Sequence, residues 1–162
     1  MENVIDLVRY LGRTPPDPML NVLFSRLSLQ HPPLVMDEEV EVRCCSHAMG
    51  IELVFRKQRP SDAPLLWGIR FYDAGHLGVS AYAGSVVDDI TLRSRQEDLI
   101  RAFGAPRNAT RGNDDRAGVA GTSVRTLKWD ALAYSLIADV RAGGQLSRLS
   151  IRLPVAMQIG RS

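Results

Sequence analysis

The residues with the clearest potential for chemistry are Cys44, Cys45 and His47, which stand close together in the chain. Thiolates and imidazoles bind zinc, but a zinc site needs about four ligands that converge on one point. The two cysteines are neighbours on a predicted strand, so their side chains should point to opposite faces. A cysteine nucleophile with a histidine base is the other option for these residue types. Neither cysteine lies at a strand-to-helix turn, and His31 and His76 also lie in turn-like sequence, so we expect neither a metal site nor a catalytic pair.

Adjacent carboxylates occur three times, at Glu38-Glu39, Asp88-Asp89 and Asp114-Asp115. General acid–base catalysis needs a buried pair of carboxyl groups whose pKa values differ. Each of these pairs instead stands at the end of a predicted element or in a loop, where water solvates both groups. The glycines between residues 107 and 121 lack the lysine and the strand-to-helix context of a phosphate-binding loop. We therefore expect no catalytic residue and no cofactor, and we predict that the protein is not an enzyme.

The composition is that of a folded globular protein. The chain has 162 residues, of which 45% are hydrophobic and 23% are charged, and its formal net charge is +2. Its 20 basic residues are scattered and nearly all are arginine, which argues against a nucleic-acid partner and favours bidentate pairing with carboxylates. No segment approaches the run of about 18 apolar residues that crosses a bilayer, and the N-terminus lacks the pattern of a signal peptide. We expect a cytoplasmic protein without a membrane partner.

Periodic apolar residues predict the elements that would position these side chains. In the first half, a helix over residues 2–11 ends at Gly12. A second helix begins after the N-cap residue Asp17, with Pro18 in its first position, and runs to about residue 29. Alternation of apolar and polar residues then predicts four strands, near 39–44, 49–56, 65–72 and 77–82.

A second cycle of the same kind follows. Ser94 and Glu97 form a predicted capping box for a helix that ends at Gly104, and residues 107–121 are predicted to be a long polar loop. Three more strands are predicted, at about 123–130, 132–140 and 146–153, with the turn Gly143-Gly144 between the last two. This order predicts an α+β fold in which helices pack on one face of an antiparallel sheet. The fold would consist of two tandem helix–meander halves, over residues 1–84 and 85–162.

The other face of such a sheet would be open to solvent or to a partner. By strand alternation it carries Glu39, Glu41, Arg43, Glu52, Val54, Arg56, Arg70, Tyr72, Tyr82, Lys128, Asp130, Ile137, Arg148 and Arg152. Tyrosine and arginine are frequent anchors of protein–protein interfaces, which favours a binding surface. The alternative is an ordinary solvated face, on which charges pair across the strands.

Two sets of short segments carry a resemblance to known families. The first set is Ile90–Ser94, Phe103–Pro106 and Lys128–Asp130. It resembles the helix–Gly-x-Pro–meander unit of small outer-membrane assembly lipoproteins and of β-lactamase-inhibitor protein. The second set is Leu11-Gly12, Asp17–Leu20, Gly50–Phe55, Ile69–Tyr72, Tyr82–Gly84 and Trp129. It resembles bacterial immunity proteins that are encoded beside polymorphic or type VI secreted toxins, and it spans roughly residues 5–153.

The second resemblance implies an immunity protein that binds and inhibits a cognate secreted antibacterial toxin. The partner-binding residues that we expect are Asp37, Glu38, Glu39, Glu41, Arg70, Tyr72 and Tyr82. The alternative function is that of an adaptor or chaperone for a secretion-system component. A homodimer that forms through a sheet edge is a further hypothesis.

Overall fold

The computed structural model describes residues 6–32, 41–59, 61–73, 78–113, 123–131 and 133–154. They form a 3₁₀ helix, two α-helices and nine β-strands, and seven of the strands belong to one antiparallel sheet. The predicted antiparallel sheet is confirmed, and two α-helices accompany it. Among the described residues, no helix is both long enough and apolar enough to cross a membrane.

The N-terminal part begins with a 3₁₀ helix at Leu7–Tyr10, inside the segment 2–11 that was predicted to be helical. Helix α1 is Pro18–Arg26, and the Asp17 side chain accepts a hydrogen bond from the Met19 backbone N–H at 2.9 Å, which confirms the predicted N-cap. The helix ends three residues before the predicted boundary, because Ser28 takes a left-handed conformation with φ of 53°.

The main sheet consists of β1 (Glu41–Ser46), β2 (Ile51–Arg56), β3 (Leu65–Tyr72), β6 (Asn108–Asn113), β7 (Ser123–Asp130), β8 (Ser135–Arg141) and β9 (Leu146–Arg152). Their order across the sheet is β1-β2-β3-β9-β8-β7-β6. The last strand of the chain therefore lies in the middle of the sheet, where Ile151 of β9 pairs with Ile69 of β3. Strands β4 (Ser85–Val87) and β5 (Ile90–Thr91) form a separate hairpin.

Two of the predicted segments differ in the structure. The described part of the predicted strand 77–82 contains no strand, and the chain reaches the β4–β5 hairpin through an irregular segment instead. The predicted loop 107–121 contains the edge strand β6, although residues 114–122 lie outside the described residues. Its polar, glycine-containing sequence has low strand propensity, but pairing with β7 gives its backbone groups hydrogen-bond partners, and this outweighs propensity.

Helix α2 is Gln96–Phe103, and its N-cap lies one residue beyond the predicted one. The backbone N–H of Arg95 donates to Asp98 Oδ2 at 2.8 Å, so Asp98 takes the role that was predicted for Glu97. Ser94 precedes the N-cap, and its Oγ instead accepts the N–H of Thr91 at 3.0 Å. The helix ends at Gly104, as predicted, where φ is 84°.

Two clusters of buried side chains lie on opposite faces of the sheet. The larger one, which we call the main core, joins residues of α1 to alternate residues of the strands, and the Phe24 and Phe55 rings lie 5.9 Å apart within it. The smaller cluster consists of Val54, Leu65, Trp67 and Leu153. We call the sheet face that carries this smaller cluster and the intervening charged residues the polar face.

Candidate binding surface

The strand register brings charged residues of the polar face into rows across the sheet. One row runs from Glu52 through Arg70 to Ser150, and the next runs from Tyr72 through Arg148 to Asp139. The charged residues of the strands that occupy these and the neighbouring rows are Glu41, Arg43, Glu52, Arg56, Arg70, Lys128, Asp130, Asp139, Arg141, Arg148 and Arg152. Seven of them are cationic and four are carboxylates, so these strand residues carry an excess of positive charge.

Glu52 lies at the centre of the first buried network. Its Oε1 accepts hydrogen bonds from Arg70 Nη1 at 2.9 Å and from the Tyr72 hydroxyl at 3.1 Å. The side chains of Glu52 and Arg70 are only 8% and 12% exposed. Burial, together with the nearby Glu52 charge, raises the pKa of Tyr72. Arg70 and Tyr72 therefore lie on the predicted face. Tyr72 is only 3% exposed, so its hydroxyl donates to Glu52 but its ring is not accessible to a partner.

A second network is centred on Asp139. Arg148 donates to Asp139 Oδ2 from both Nε and Nη2 at 2.7 Å, and Thr126 Oγ1 donates to Asp139 Oδ1, also at 2.7 Å. Burial alone would lower the pKa of Arg148, but the Asp139 charge and its hydrogen bond outweigh that effect and raise it. Hydrogen bonds to an ionised partner are stronger than neutral ones, so these contacts hold the Arg148 guanidinium in one orientation.

The third network involves Glu41, which was predicted to contact a partner. Its two carboxylate oxygens accept from Arg43 Nε at 2.6 Å and from Arg56 Nε at 2.7 Å. Burial would raise the pKa of Glu41, but the two arginines together hold it below its usual range. Both carboxylate oxygens of Glu41 are thus already paired with arginines of the fold. The other members of the predicted acidic run, Asp37, Glu38 and Glu39, lie outside the described residues.

Asp139 was not among the residues predicted for this face, and neither was Trp67. Simple alternation places it in the main core with Ile69 and Phe71, whereas the structure places it on the polar face. The reason is an irregularity in the β2–β3 pairing, where Val54 is opposite Gly68 but Phe55 is opposite Leu66, so that Trp67 is the extra residue. A bulge of this kind shifts the alternation of side chains by one position.

Two guanidinium groups stack on the Trp67 ring. The carbon Cζ of Arg56 lies 3.5 Å from the ring centroid and that of Arg152 lies 4.7 Å from it. Burial lowers the pKa of Arg152 to about 10, and the charges of Arg70, Arg56 and Arg148 add to the shift. Within the described residues, the buried Arg152 Nε has no hydrogen-bond acceptor.

Tyr82 does not lie on the polar face, contrary to its prediction. Its ring packs against the main core, with its centroid 4.8 Å from that of Phe71, and its hydroxyl donates to the Ser85 carbonyl oxygen at 3.0 Å. The prediction was wrong because it assumed a regular strand over 77–82. Residues 78–83 follow no strand alternation, so the Tyr82 side chain turns towards the core.

A shallow pocket of about 230 Å³ lies at the other end of the sheet. Its walls include Phe103, Trp129 and Tyr134, and its rim carries the Arg107–Asp130 ion pair at 2.6 Å. Trp129 Nε1 donates to the Gly104 carbonyl oxygen at 2.9 Å and so fixes the indole against the end of α2. This pocket contains aromatic surface and one paired arginine, which is not a constellation for acid–base or nucleophilic chemistry.

Cys44, Cys45 and His47 do not converge on one point. Cys44 packs against the main core and Cys45 follows it on the edge strand, and both are free thiols whose pKa is raised by burial and by Glu52. His31 and His47 are exposed, while His76 is outside the described residues. Among the residues that the structure describes, no three His, Cys, Asp or Glu side chains form a group that could hold a metal ion.

No family model, no curated protein and no solved structure matches this chain. The polar face is therefore interpreted from its own geometry, as an arginine-rich surface whose side chains are held in place by buried ion pairs.

Proposed function

We propose that this protein binds another protein through the polar face, and that the partner is a secreted antibacterial toxin which it inhibits. The observation that carries the proposal is the excess of arginine on this face, with Arg70 and Arg148 fixed by buried carboxylates. The identity of the partner as a toxin follows from the sequence resemblance to immunity proteins. Inhibition would consist of covering the toxin's active-site mouth.

Fixed arginines suit a binding surface for a physical reason. An arginine that is already held in one rotamer loses little conformational entropy when a partner arrives, which leaves more of the contact energy for affinity. Arginine is also enriched among the residues that dominate interface energetics. Because cations outnumber carboxylates on this face, the complementary surface of the toxin would be acidic.

The proposal also includes how the helices and the two halves of the chain are arranged around the sheet. We infer that the helices cover the face opposite the polar face and that residues 1–84 and 85–162 are related halves. The strand order supports this inference, because β1–β3 and β6–β9 occupy separate sides of the sheet and meet only where β3 pairs with β9. A toxin that acts in the cytoplasm would require the inhibitor there as well.

The test uses the product of a toxin-like gene adjacent to the gene for this protein. We expect co-expression to restore growth of cells that make the toxin, and calorimetry to show tight binding at equal stoichiometry. An adaptor would bind the effector but leave its toxicity unchanged. Absence of both binding and protection would refute the immunity function.

A pair of matched variants tests the surface. Arg43→Ala with Lys128→Ala removes two positive charges from the polar face, and Arg26→Ala with Arg93→Ala removes two exposed charges elsewhere. We expect the first variant to weaken toxin binding at least about tenfold and the second to change it less than about twofold. Equal effects of the two variants would exclude the polar face as the interface.

A further inference from the structure

Arg152 differs from the other arginines around it in having no carboxylate partner. Arg56, Arg70 and Arg148 each contact one, namely Glu41, Glu52 and Asp139. Within the described residues no salt bridge is formed by Arg152, and its buried Nε has no acceptor. A buried donor without a partner is costly, and a bound water molecule or ion can supply the acceptor that such a group lacks.

The strand register explains why the fold itself supplies no carboxylate. The cross-strand neighbours of Arg152 are Gly68 on β3 and Ser135 on β8. Gly68 has no side chain, and a Cβ atom there would lie 3.3 Å from Arg152 Cγ, so glycine makes room for the arginine stem. Ser135 is a neutral residue, and its Oγ donates to Asp130 Oδ1 at 2.7 Å.

The surroundings of Arg152 are cationic and partly apolar. The Trp67 ring forms one wall, the charges of Arg70, Arg56 and Arg148 all act on Arg152 with the same sign, and the Asp139 charge opposes them in part. The guanidinium remains protonated at neutral pH, since its pKa is lowered only to about 10. A positive charge in a partly desolvated place, with a donor unused, favours the arrival of an anion.

We propose that Arg152, together with Arg56, Arg70 and Trp67, forms an oxyanion site whose ligand is a carboxylate. A singly charged carboxylate matches the one uncompensated guanidinium and can accept two of its N–H groups. A doubly charged phosphate would carry one negative charge more than this guanidinium can match, because Glu41, Glu52 and Asp139 already pair with the neighbouring arginines. The inference rests on the proposed function in one respect, that an aspartate or glutamate of the bound toxin supplies the carboxylate. A free carboxylate ion is the other source.

The site is tested on the protein alone, with acetate as the probe. The Trp67 indole N–H resonance is followed by NMR while sodium acetate is added, and sodium chloride at the same ionic strength is the control salt. We expect a saturable shift with acetate and none with chloride. The same shift in both salts would show screening only and would overturn the site.

Variants assign the effect to Arg152. Arg152→Met should weaken acetate binding at least about tenfold, and Arg152→Lys, which keeps the charge but lacks the planar fork, should weaken it by an intermediate factor. Arg93→Met, at an exposed turn residue, should leave it unchanged. Unaltered acetate affinity in either Arg152 variant would refute the assignment, and the lysine variant decides the question if the methionine variant does not fold.

Toxin binding separates the two sources of the carboxylate. If the partner supplies it, Arg152→Met should weaken toxin binding, and acetate should compete with the toxin for the wild-type protein. Acetate binding with unchanged toxin affinity in Arg152→Met would overturn the partner as the source and leave a free ion as the ligand. Acetate binding without any toxin binding would refute the proposed function while the oxyanion site stands.

Discussion

Replacement of Glu52 by glutamine removes the negative charge from the most buried ion pair of the polar face. Glu52 accepts from both Arg70 and Tyr72, and the side chains of the Glu52–Arg70 pair are only 8% and 12% exposed. Breaking a buried pair by removing one partner costs about 3 to 5 kcal/mol, because the other charge remains buried without compensation. Glutamine keeps an oxygen acceptor, so we expect a loss of about 3 kcal/mol in the free energy of unfolding.

Glu41→Gln is the matched control, since Glu41 also accepts from two groups on the same face. Its partners Arg43 and Arg56 are 58% and 35% exposed, so water can solvate their charges after the substitution. Exposed pairs contribute little, and we expect a loss of less than about 1 kcal/mol. The two variants thus differ mainly in the burial of the cation that is left behind.

The assay is equilibrium unfolding in urea, followed by the fluorescence of Trp67 and Trp129. A double variant, Glu52→Gln with Arg70→Met, removes both charges and should recover most of the stability that the single variant loses. The reasoning is refuted if Glu52→Gln costs no more than Glu41→Gln. It is also refuted if the double variant is no more stable than Glu52→Gln alone.

Three further predictions concern other parts of the fold. Gly50→Ala should lower the free energy of unfolding by roughly 3 kcal/mol, because φ there is 68° and a Cβ atom would collide with the backbone before β4. Gly104→Ala is the control, because φ there is 84° but no described atom lies within 4 Å of the added Cβ, and it should cost only about 1 kcal/mol. Similar losses for the two variants in thermal unfolding would contradict this. The backbone N–H of Met19 and then the Arg13 side chain lower the pKa of Asp17 below its ordinary value of 3.8. The Asp17 carboxylate therefore stabilises the fold fully above pH 3.8, and this stabilisation is lost as the pH falls through the lowered pKa. The stability difference between wild type and Asp17→Asn, which keeps the cap without the charge, should therefore shrink between about pH 5 and about pH 2, and a constant difference in urea unfolding would argue against it. Burial, together with the Glu52 charge, raises the pKa of Cys44 and Cys45 above the ordinary value of 9.0, so iodoacetamide should react slowly at neutral pH and its rate should still rise above pH 9.0. A rate that levels off at or below pH 9.0 would be inconsistent with buried thiols.

Local signals in the sequence predicted the elements whose stability is local. The Asp17 N-cap and the Gly104 helix end depend on backbone geometry over a few residues, and both are confirmed. The strands β7, β8 and β9 agree with their predicted ranges to within a few residues, and the turn between the last two contains Gly144 with φ of 84°. These features follow from residue types and near neighbours alone.

The candidate site was predicted less completely. Arg70, Glu41 and Arg152 lie on the predicted face because regular alternation holds along most of each strand. Tyr82 does not, because its segment is not a strand, and Trp67 changes face because of the bulge in β3. Whether Arg70, Tyr72 and the other expected anchors contact a partner stays a prediction.

The sequence by itself determined most of the antiparallel strands, the N-cap of α1, the glycine at the end of α2 and the alternation that separates the main core from a charged face, since these depend on periodicity and on turn chemistry. Only the tertiary structure decided that β9 lies beside β3, which brings Arg152 next to Gly68 and close to Trp67. These residues are distant in the chain, and no local preference encodes which strands become neighbours. The pairing of strands therefore determines which arginines receive a carboxylate from the fold and which one does not.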